Sequence, residues 1–372
     1  MIIDRRNFLK LSGAAVGTAF IPRTAFAQER FITHAGPWRR FEIITRVDIL
    51  KPKGMVEAWV PVPSVSESGW SKPLGTDWKT NAKFAKLIHD ENRGLELVYL
   101  QWAEGEPAPF AEINSAASTR DRVIDFSRPD KPSPLPDAEH SAYMVPLISG
   151  SVEKAVREVA VKIVEKAKTD LGKAKAIYEW LLGTQACSPG GKVQMPLMDE
   201  FIRKHAGLNA LYVELAKVAG LPARAIYGVR VAPSEFGYKS LGVDPKAVTR
   251  AQHCRAEVWL EDYGWTPVDV ADVCKVMQSE PPAPAPDPTA KVASARLTLF
   301  GAWEGNWLAY NMANNVALPG FDLVEDEPKE RAEPVRTIAY MMYPQGRTED
   351  GFRDGLDPDA FKYAITAKEI PV

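Results

Sequence analysis

Two side chains of this 372-residue chain have the types and spacing of an acid–base pair. His253 lies in the segment QHCRAEVWL, residues 252–260, whose composition predicts a β-strand. A turn at 261–264 and the segment GWTPVDV, which contains Asp269, complete a predicted hairpin. Facing side chains on adjacent antiparallel strands lie about 5 Å apart, so we expect His253 and Asp269 to meet. A carboxylate beside an imidazole fixes its tautomer and raises its basicity, which suits the ring for proton transfer.

A helix is predicted ahead of this hairpin, from about Ala206 to Ala219, with apolar residues at helical spacing. Gly220 is a natural helix end, and Pro222 prevents continuation into the strand that follows. His205 directly precedes the helix. The elements that position the pair are therefore helices followed by antiparallel strands.

These segments resemble the core of the transglutaminase-like superfamily over roughly residues 150–277. Members of that family carry a cysteine at the start of the corresponding helix, where the helix amides and dipole lower the pKa of its thiol. The bacterial members that this chain most resembles read Gly-Lys-Cys-Ala-Asp-Leu-Asn-Ala-Leu there, whereas residues 203–211 read Arg-Lys-His-Ala-Gly-Leu-Asn-Ala-Leu. The resemblance places His253 and Asp269 on the family's catalytic His and Asp positions. It places His205 on the position of the nucleophilic cysteine.

An imidazole does not replace a thiolate at this position. A helix N-terminus favours anions and disfavours the imidazolium ion, so His205 is expected to be neutral near pH 7. The resemblance thus implies a papain-like Cys-His-Asp core whose nucleophile is missing. Acyl transfer of the family's kind is then lost or severely slowed.

The three cysteines leave one other candidate nucleophile. Cys187, in the glycine-rich segment CSPGG, is expected to be mobile enough to reach a nearby cleft. Cys254 neighbours His253 on the predicted strand and so points to the opposite face, as a buried apolar residue. Cys274 has no obvious base. An odd and sparse set of cysteines is not a disulfide framework.

Metal binding is a further alternative. If His205, His253 and Asp269 converge, they form a two-histidine, one-carboxylate set that suits Zn²⁺ or Fe²⁺. Otherwise His205 only fills the space of the former thiol and hydrogen-bonds His253. No other cofactor is predicted.

The first 27 residues predict a twin-arginine signal peptide. Arg5 and Arg6 precede a short apolar run, Leu11 to Ile21, and a small-residue site that predicts cleavage after Ala27. We therefore expect export in the folded state to the periplasm or the cell exterior. No later segment approaches the length of a membrane span, so the mature protein is not expected to cross a membrane.

The rest of the chain predicts an α+β fold. Its expected parts are a β-rich N-terminal domain, the transglutaminase-like core of helices packed on an antiparallel sheet, a Pro/Ala linker and an aromatic-rich C-terminal segment that packs on the core; their bounds are 31–149, 150–277, 278–292 and 293–372. The formal net charge of −2 does not favour nucleic acid as a partner. Oligomeric state has no signal in the sequence.

Three functions of different classes fit these patterns. The first is a non-catalytic or strongly impaired homologue that binds a peptide or a cell-wall-derived ligand in the inherited cleft. The second is an active amide hydrolase or acyltransferase that uses Cys187 or a metal-bound water. The third is a structural scaffold. Retention of His253 with Asp269 favours the first, because a scaffold does not need that pair.

Overall fold

The computed structural model describes residues 29–188, 192–283, 287–319, 337–353, 355 and 358–371, and all structural statements concern these residues. The predicted signal peptide lies outside the described residues, as do residues 284–286 of the predicted linker. None of the described helices is both long and apolar enough to cross a membrane.

The N-terminal part is rich in β-strands, as the sequence predicts. Its described strands are β1 (Arg39–Ile49), β2 (Val56–Val62), β3 (Ser71–Thr80), β4 (Phe84–Asp90), β5 (Leu95–Trp102), β6 (Phe110–Thr119) and β7 (Arg122–Val123). Period-two alternation explains β1, in which every second residue from Phe41 to Ile49 is buried while the residues between them are exposed or half-buried. Antiparallel pairing of β1 with β6, and of β6 with β3, builds one sheet, and β2, β5 and β4 pair in another.

Helices dominate the middle of the chain. The described helices are α1 (Asp137–Met144), α2 (Gly150–Val164), α3 (Asp170–Gly183), α4 (Pro196–Lys204), α5 (Leu208–Val218), α6 (Val270–Ser279) and α7 (Ala290–Thr298). The sequence predicts α2, α3 and α5, whereas α1, α4, α6 and α7 were not foreseen. Helix α5 has nine buried residues in succession, because it packs against other helices on one side and against a sheet on the other.

That sheet is antiparallel and forms the second layer of the core. Its strands, in the order β10-β9-β8-β12, are β8 (Ala223–Arg230), β9 (Gln252–Leu260), β10 (Gly264–Val268) and β12 (Trp307–Asn311). The predicted hairpin is β9 with β10, in which Gly264 pairs with Leu260 and Val268 with Ala256. Helices on an antiparallel sheet, after a β-rich part, confirm the α+β class.

The C-terminal segment contributes strands to the sheets of both preceding parts. Its other described strands are β11 (Ala302–Trp303), β13 (Asn314–Ala317), β14 (Thr337–Tyr340), β15 (Gln345–Thr348), β16 (Gly351–Arg353) and β17 (Phe361–Ile370). Strand β12 extends the core sheet beside β8, β15 pairs with β2, and β17 pairs with β1 along ten residue pairs. The segment therefore forms part of the sheets of both preceding parts, in addition to packing on the core.

A buried ionic network joins the N-terminal strands to the core sheet. Glu257 of β9 is fully buried and binds both Arg122 of β7 and Arg224 of β8, the latter at 2.6 Å. Arg224 also binds Glu67, at 2.6 Å, and lies over the ring of Trp265. Since an uncompensated buried charge is costly, these pairs hold the two parts together.

Candidate functional site

The structure brings His253 and Asp269 into direct contact. The imidazole Nε2 of His253 lies 2.7 Å from Oδ2 of Asp269. His253 is near the start of β9, and 13% of its side chain is exposed, whereas Asp269 is completely buried. Asp269 follows the end of β10 and is the N-cap of α6, where its side chain accepts a hydrogen bond from the backbone N–H of Asp272. The hairpin thus produces the predicted contact, although Asp269 caps a helix where a strand residue was expected.

Asn209 fixes the position of Asp269, and the sequence analysis missed this role. Its side-chain amide donates to Oδ1 of Asp269 at 2.7 Å and to the carbonyl of Cys254 at 2.8 Å. Its Oδ1 accepts from the backbone N–H of Val270 at 2.8 Å. One fully buried side chain on α5 therefore ties β9 to the start of α6. The available signal in the sequence was Asn209 itself, a side-chain amide among the apolar residues of the predicted helix.

A second carboxylate, Asp272, was also missed. Its Oδ1 lies 3.4 Å from Nε2 of His253 and binds the guanidinium of Arg230 on β8. Burial opposes ionisation of Asp272, but Arg230 and then His253 outweigh it and hold the pKa of this carboxyl well below its usual range. The imidazole therefore faces two carboxylates. The signal in the sequence was the position of Asp272, three residues after Asp269. It was missed because helix α6 was not predicted.

Arg255 completes the surroundings of Asp269. Its Nε is 3.5 Å from Oδ2 of Asp269, and its guanidinium lies over the rings of Trp303 and Trp307. Arg255 and Arg230 are both almost fully buried, so two positive charges balance the two carboxylates.

His205 is turned away from this cluster, towards its own helix. It lies between α4 and α5, where Gly207 adopts a φ of +83° that allows the chain to reverse direction. The ring of His205 stacks on Phe201 with centroids 4.0 Å apart, and its Nδ1 is 3.1 Å from the carbonyl of Phe201. Among the described residues, no hydrogen bond joins His205 to His253 or Asp269.

Two of the three predicted metal ligands, His253 and Asp269, converge, and the third member of their group is Asp272. Among the described residues, the group whose ligand atoms all lie within 4.8 Å of one another is His253, Asp269 and Asp272, and His205 is not part of it. Both carboxylates already have guanidinium neighbours, Arg230 and Arg255. A divalent cation at this group would lie beside these buried positive charges, which oppose its binding.

The cysteines correct one expectation. Cys187, at the end of a short 3₁₀ turn, is bonded to Cys274 of α6, so the expectation of unpaired cysteines is wrong for these two. Spacing did not reveal the pair because its members are 87 residues apart and meet only in the tertiary fold. In this form Cys187 is not a nucleophile, because its sulfur is bonded. Cys254 is a free thiol in the core, as expected, and burial raises its pKa far above the usual range.

Residues 157–270, which include α5, His253 and Asp269, match the family model of the Transglutaminase-like superfamily. This part of the chain is a transglutaminase-like domain. A protein of Haemophilus influenzae, whose name states no function, is 27% identical over 355 residues, which are 89% of this chain and 91% of that protein.

The solved structures that are similar to this chain have low sequence identity to it. A protein of Cytophaga hutchinsonii, described as a candidate cysteine protease, has a TM-score of 0.47 and 11% identity, over 91% of this chain and 90% of that one. The periplasmic domain of TgpA from Pseudomonas aeruginosa has a TM-score of 0.32 and 15% identity, over 68% of this chain and 75% of that one. At these levels the comparisons carry no argument about chemistry.

Proposed function

We propose that this protein is a non-catalytic or strongly impaired transglutaminase-like homologue that binds a peptide or a cell-wall-derived ligand beside His253. The observation that carries the proposal is the state of its thiols. The chain has three cysteines, of which two form a disulfide and the third is buried with a raised pKa. The thiolate that this chemistry needs therefore has no source beside His253.

The conformation of His205 supports the same conclusion. The resemblance puts this residue where the family has its nucleophile, yet its ring stacks on Phe201 and bonds that residue's carbonyl. An imidazole held in this way is not aligned for attack on a substrate next to His253.

Binding remains as the use of the site because the surroundings of His253 are intact. Asn209 and Arg230 hold the two carboxylates that orient its ring, and part of the ring is exposed. A peptide offers amide donors and acceptors to such a partly exposed imidazole. From the predicted signal peptide we propose that this binding takes place in the periplasm or outside the cell.

Thiol reactivity tests the loss of chemistry. His205→Cys should create a thiol at the start of α5 that iodoacetamide alkylates under native, non-reducing conditions, and His253→Ala in the same chain should slow it by about tenfold, since the pair raises the thiolate fraction. Ala206→Cys is the matched control, because it adds a thiol one residue away whose rate should not depend on His253. Wild-type protein should not be alkylated.

Three results would favour the other functions. Amide hydrolysis by wild-type protein that Cys187→Ala abolishes would identify an enzyme. Stoichiometric zinc or iron in protein purified without added metal, and lost in His253→Ala, would identify a metal site. If solubilised peptidoglycan fragments or short peptides bind equally to wild type, His253→Ala and Asp269→Asn, as measured by calorimetry, the site is not used and the scaffold function stands.

A further inference from the structure

A groove between α3 and α7 forms a second concave surface of the protein. Arg30, near the start of the described chain, and Phe126, after β7, are also part of its wall. Its volume is about 530 Å³, which lies within the range of small-molecule sites. None of the described residues that line it belongs to the cluster around His253. The groove is therefore separate from the site of the proposed function.

The wall of the groove is largely aromatic and apolar. The rings of Phe126 and Phe300 stack with their centroids 5.6 Å apart, and the ring of Tyr178 on α3 lies 5.2 Å from that of Phe300. Leu297 of α7 adds an exposed apolar side chain, with 42% of the residue accessible to water. An apolar ligand body that covers this surface gains about 25 cal/mol for each Å² removed from water.

Arg30 holds a positive charge at a fixed place in this wall. Its Nε donates to the carbonyl of Leu297 at 3.0 Å, and its Nη1 donates to the carbonyl of Ile124 at 2.9 Å. Its Nη2 donates to the carbonyl of Phe300. These partners are neutral, so they fix the guanidinium without balancing its charge.

Gly301 allows Arg30 and Phe126 to pack closely at the groove. The guanidinium of Arg30 lies 5.4 Å from the ring centroid of Phe126. Gly301 has a φ of +102°, and a Cβ at this position would lie 2.6 Å from the Phe126 ring and 2.7 Å from Nη2 of Arg30. Any larger residue would therefore displace the cation and the ring together.

The charges that line the groove do not cancel. Three are positive and one is negative: Arg30, Lys175 and Arg296, with Glu179. Glu179 binds Arg296. Within the described part of the chain, no carboxylate forms an ion pair with Arg30 or Lys175, and Asp125, which attracts Arg30 from a greater distance, is exposed and screened by solvent. Two positive charges therefore remain beside an apolar wall.

We propose that this groove binds a small carboxylic acid with an aromatic or branched apolar body. The carboxylate pairs with the exposed ammonium group of Lys175 in the field of Arg30, while the body covers Phe126, Phe300 and Leu297. Apolar contact alone does not distinguish an acid from a neutral compound of the same shape. The two cations without a carboxylate partner among the described residues therefore select the acid.

Binding of two acids to the intact protein tests the proposal. We expect phenylacetate to bind saturably, with a Kd of about 1 mM or lower by calorimetry. Phenylacetamide, which lacks the charge, and acetate, which lacks the ring, should bind at least about tenfold more weakly. N-acetylphenylalanine represents the C-terminal residue of a peptide, so the tighter of the two acids identifies a free acid or a peptide end as the source. Equal binding of phenylacetate and phenylacetamide, or binding of neither acid at about 10 mM, overturns the proposal.

Variants locate the binding in the groove. Lys175→Met keeps most of the aliphatic stem and should weaken phenylacetate binding about tenfold, whereas Lys175→Arg should retain it. Ala293→Phe, on the part of α7 that lines the groove, should fill the space and abolish binding. Lys162→Met, at an exposed position on α2, is the matched control and should bind as wild type does.

The outcome does not depend on the site beside His253. His253→Ala should bind phenylacetate with the wild-type Kd, so a failure of this proposal and a failure of the proposed function are separate results. An unchanged Kd in Lys175→Met, or in folded Ala293→Phe, contradicts the proposal. If Ala293→Phe does not fold, Lys175→Met still decides, because Lys175 is exposed.

Discussion

The two histidines that the family resemblance singles out have opposite surroundings. His253 is held by Asp269 and Asp272, which in turn are fixed by Asn209 and by buried arginines. The ring of His205 stacks on Phe201 of α4 and bonds that residue's carbonyl. The difference shows that His253 is fixed by buried side chains from several elements of the core, whereas the ring of His205 is fixed by one residue of α4.

The disulfide beside the His253 cluster gives the largest expected effect. In the chain-entropy model, a loop closed over 87 residues stabilises a protein by about 4.6 kcal/mol at 25 °C. The double variant Cys187→Ala, Cys274→Ala should lose stability of this order in urea unfolding. Cys254→Ala is the control for removal of a buried thiol. An unchanged unfolding midpoint in the double variant would show that α6 does not need this bond. The disulfide would then not contribute to the rigid surroundings of His253.

Removal of a cation from the His253 cluster should lower the free energy of unfolding almost as much. Arg230→Met leaves Asp272 buried without its main partner, which is expected to lower the free energy of unfolding by about 3–5 kcal/mol. Arg250→Met, at an exposed position, is the matched control and should change it by less than about 0.5 kcal/mol. Similar effects of the two substitutions would mean that the cluster is not held by its charges.

The stability of the protein should depend on pH through Glu304. Its pKa is raised in the folded state, from 4.5 to about 7, so its protonated form contributes stability that is fully present below pH 4.5 and is lost as pH rises through 7. Glu304→Gln removes this dependence. The variant and wild type should be similar near pH 4.5, and the variant should be more stable by about 3 kcal/mol at pH 8. A constant difference across this range in urea unfolding would contradict the assignment.

The smallest effect is expected at the other histidine. His205→Ala removes one ring stack and should cost about 0.5–1 kcal/mol. His253→Ala removes a charge-assisted hydrogen bond to the buried carboxylate of Asp269 and should lower the free energy of unfolding by about 1.5–3 kcal/mol. Unfolding of the two variants under identical conditions measures the contrast directly. If His205→Ala lowers the free energy of unfolding as much as His253→Ala does, the two histidines are held equally firmly and the contrast between them is wrong.

The sequence predicted the parts of this fold that local periodicity determines. Helices α2, α3 and α5 and the β9–β10 hairpin follow from apolar spacing and from the stop at Gly220 and Pro222. His253 and Asp269 also meet as predicted, although Asp269 lies just beyond the hairpin, at the N-cap of α6. These are short-range features of the chain.

The remaining features depend on pairings that spacing does not encode. Asp272 meets Arg230 across 42 residues, and Cys187 meets Cys274 across 87. The rotation of His205 towards Phe201 depends on α4, a nine-residue helix that the sequence analysis did not identify. The chemistry that family resemblance suggests for a position therefore has to be checked against the contacts of that position.

The pairing of β17 with β1 has a consequence for biosynthesis. Strand β1 lies within residues 39–49, and its partner strand begins only at Phe361. Synthesis therefore has to pass residue 370 before this sheet can be completed, and until then β1 lacks one of its two neighbours. A chain that stops before residue 361 leaves β1 as an open edge available to other molecules.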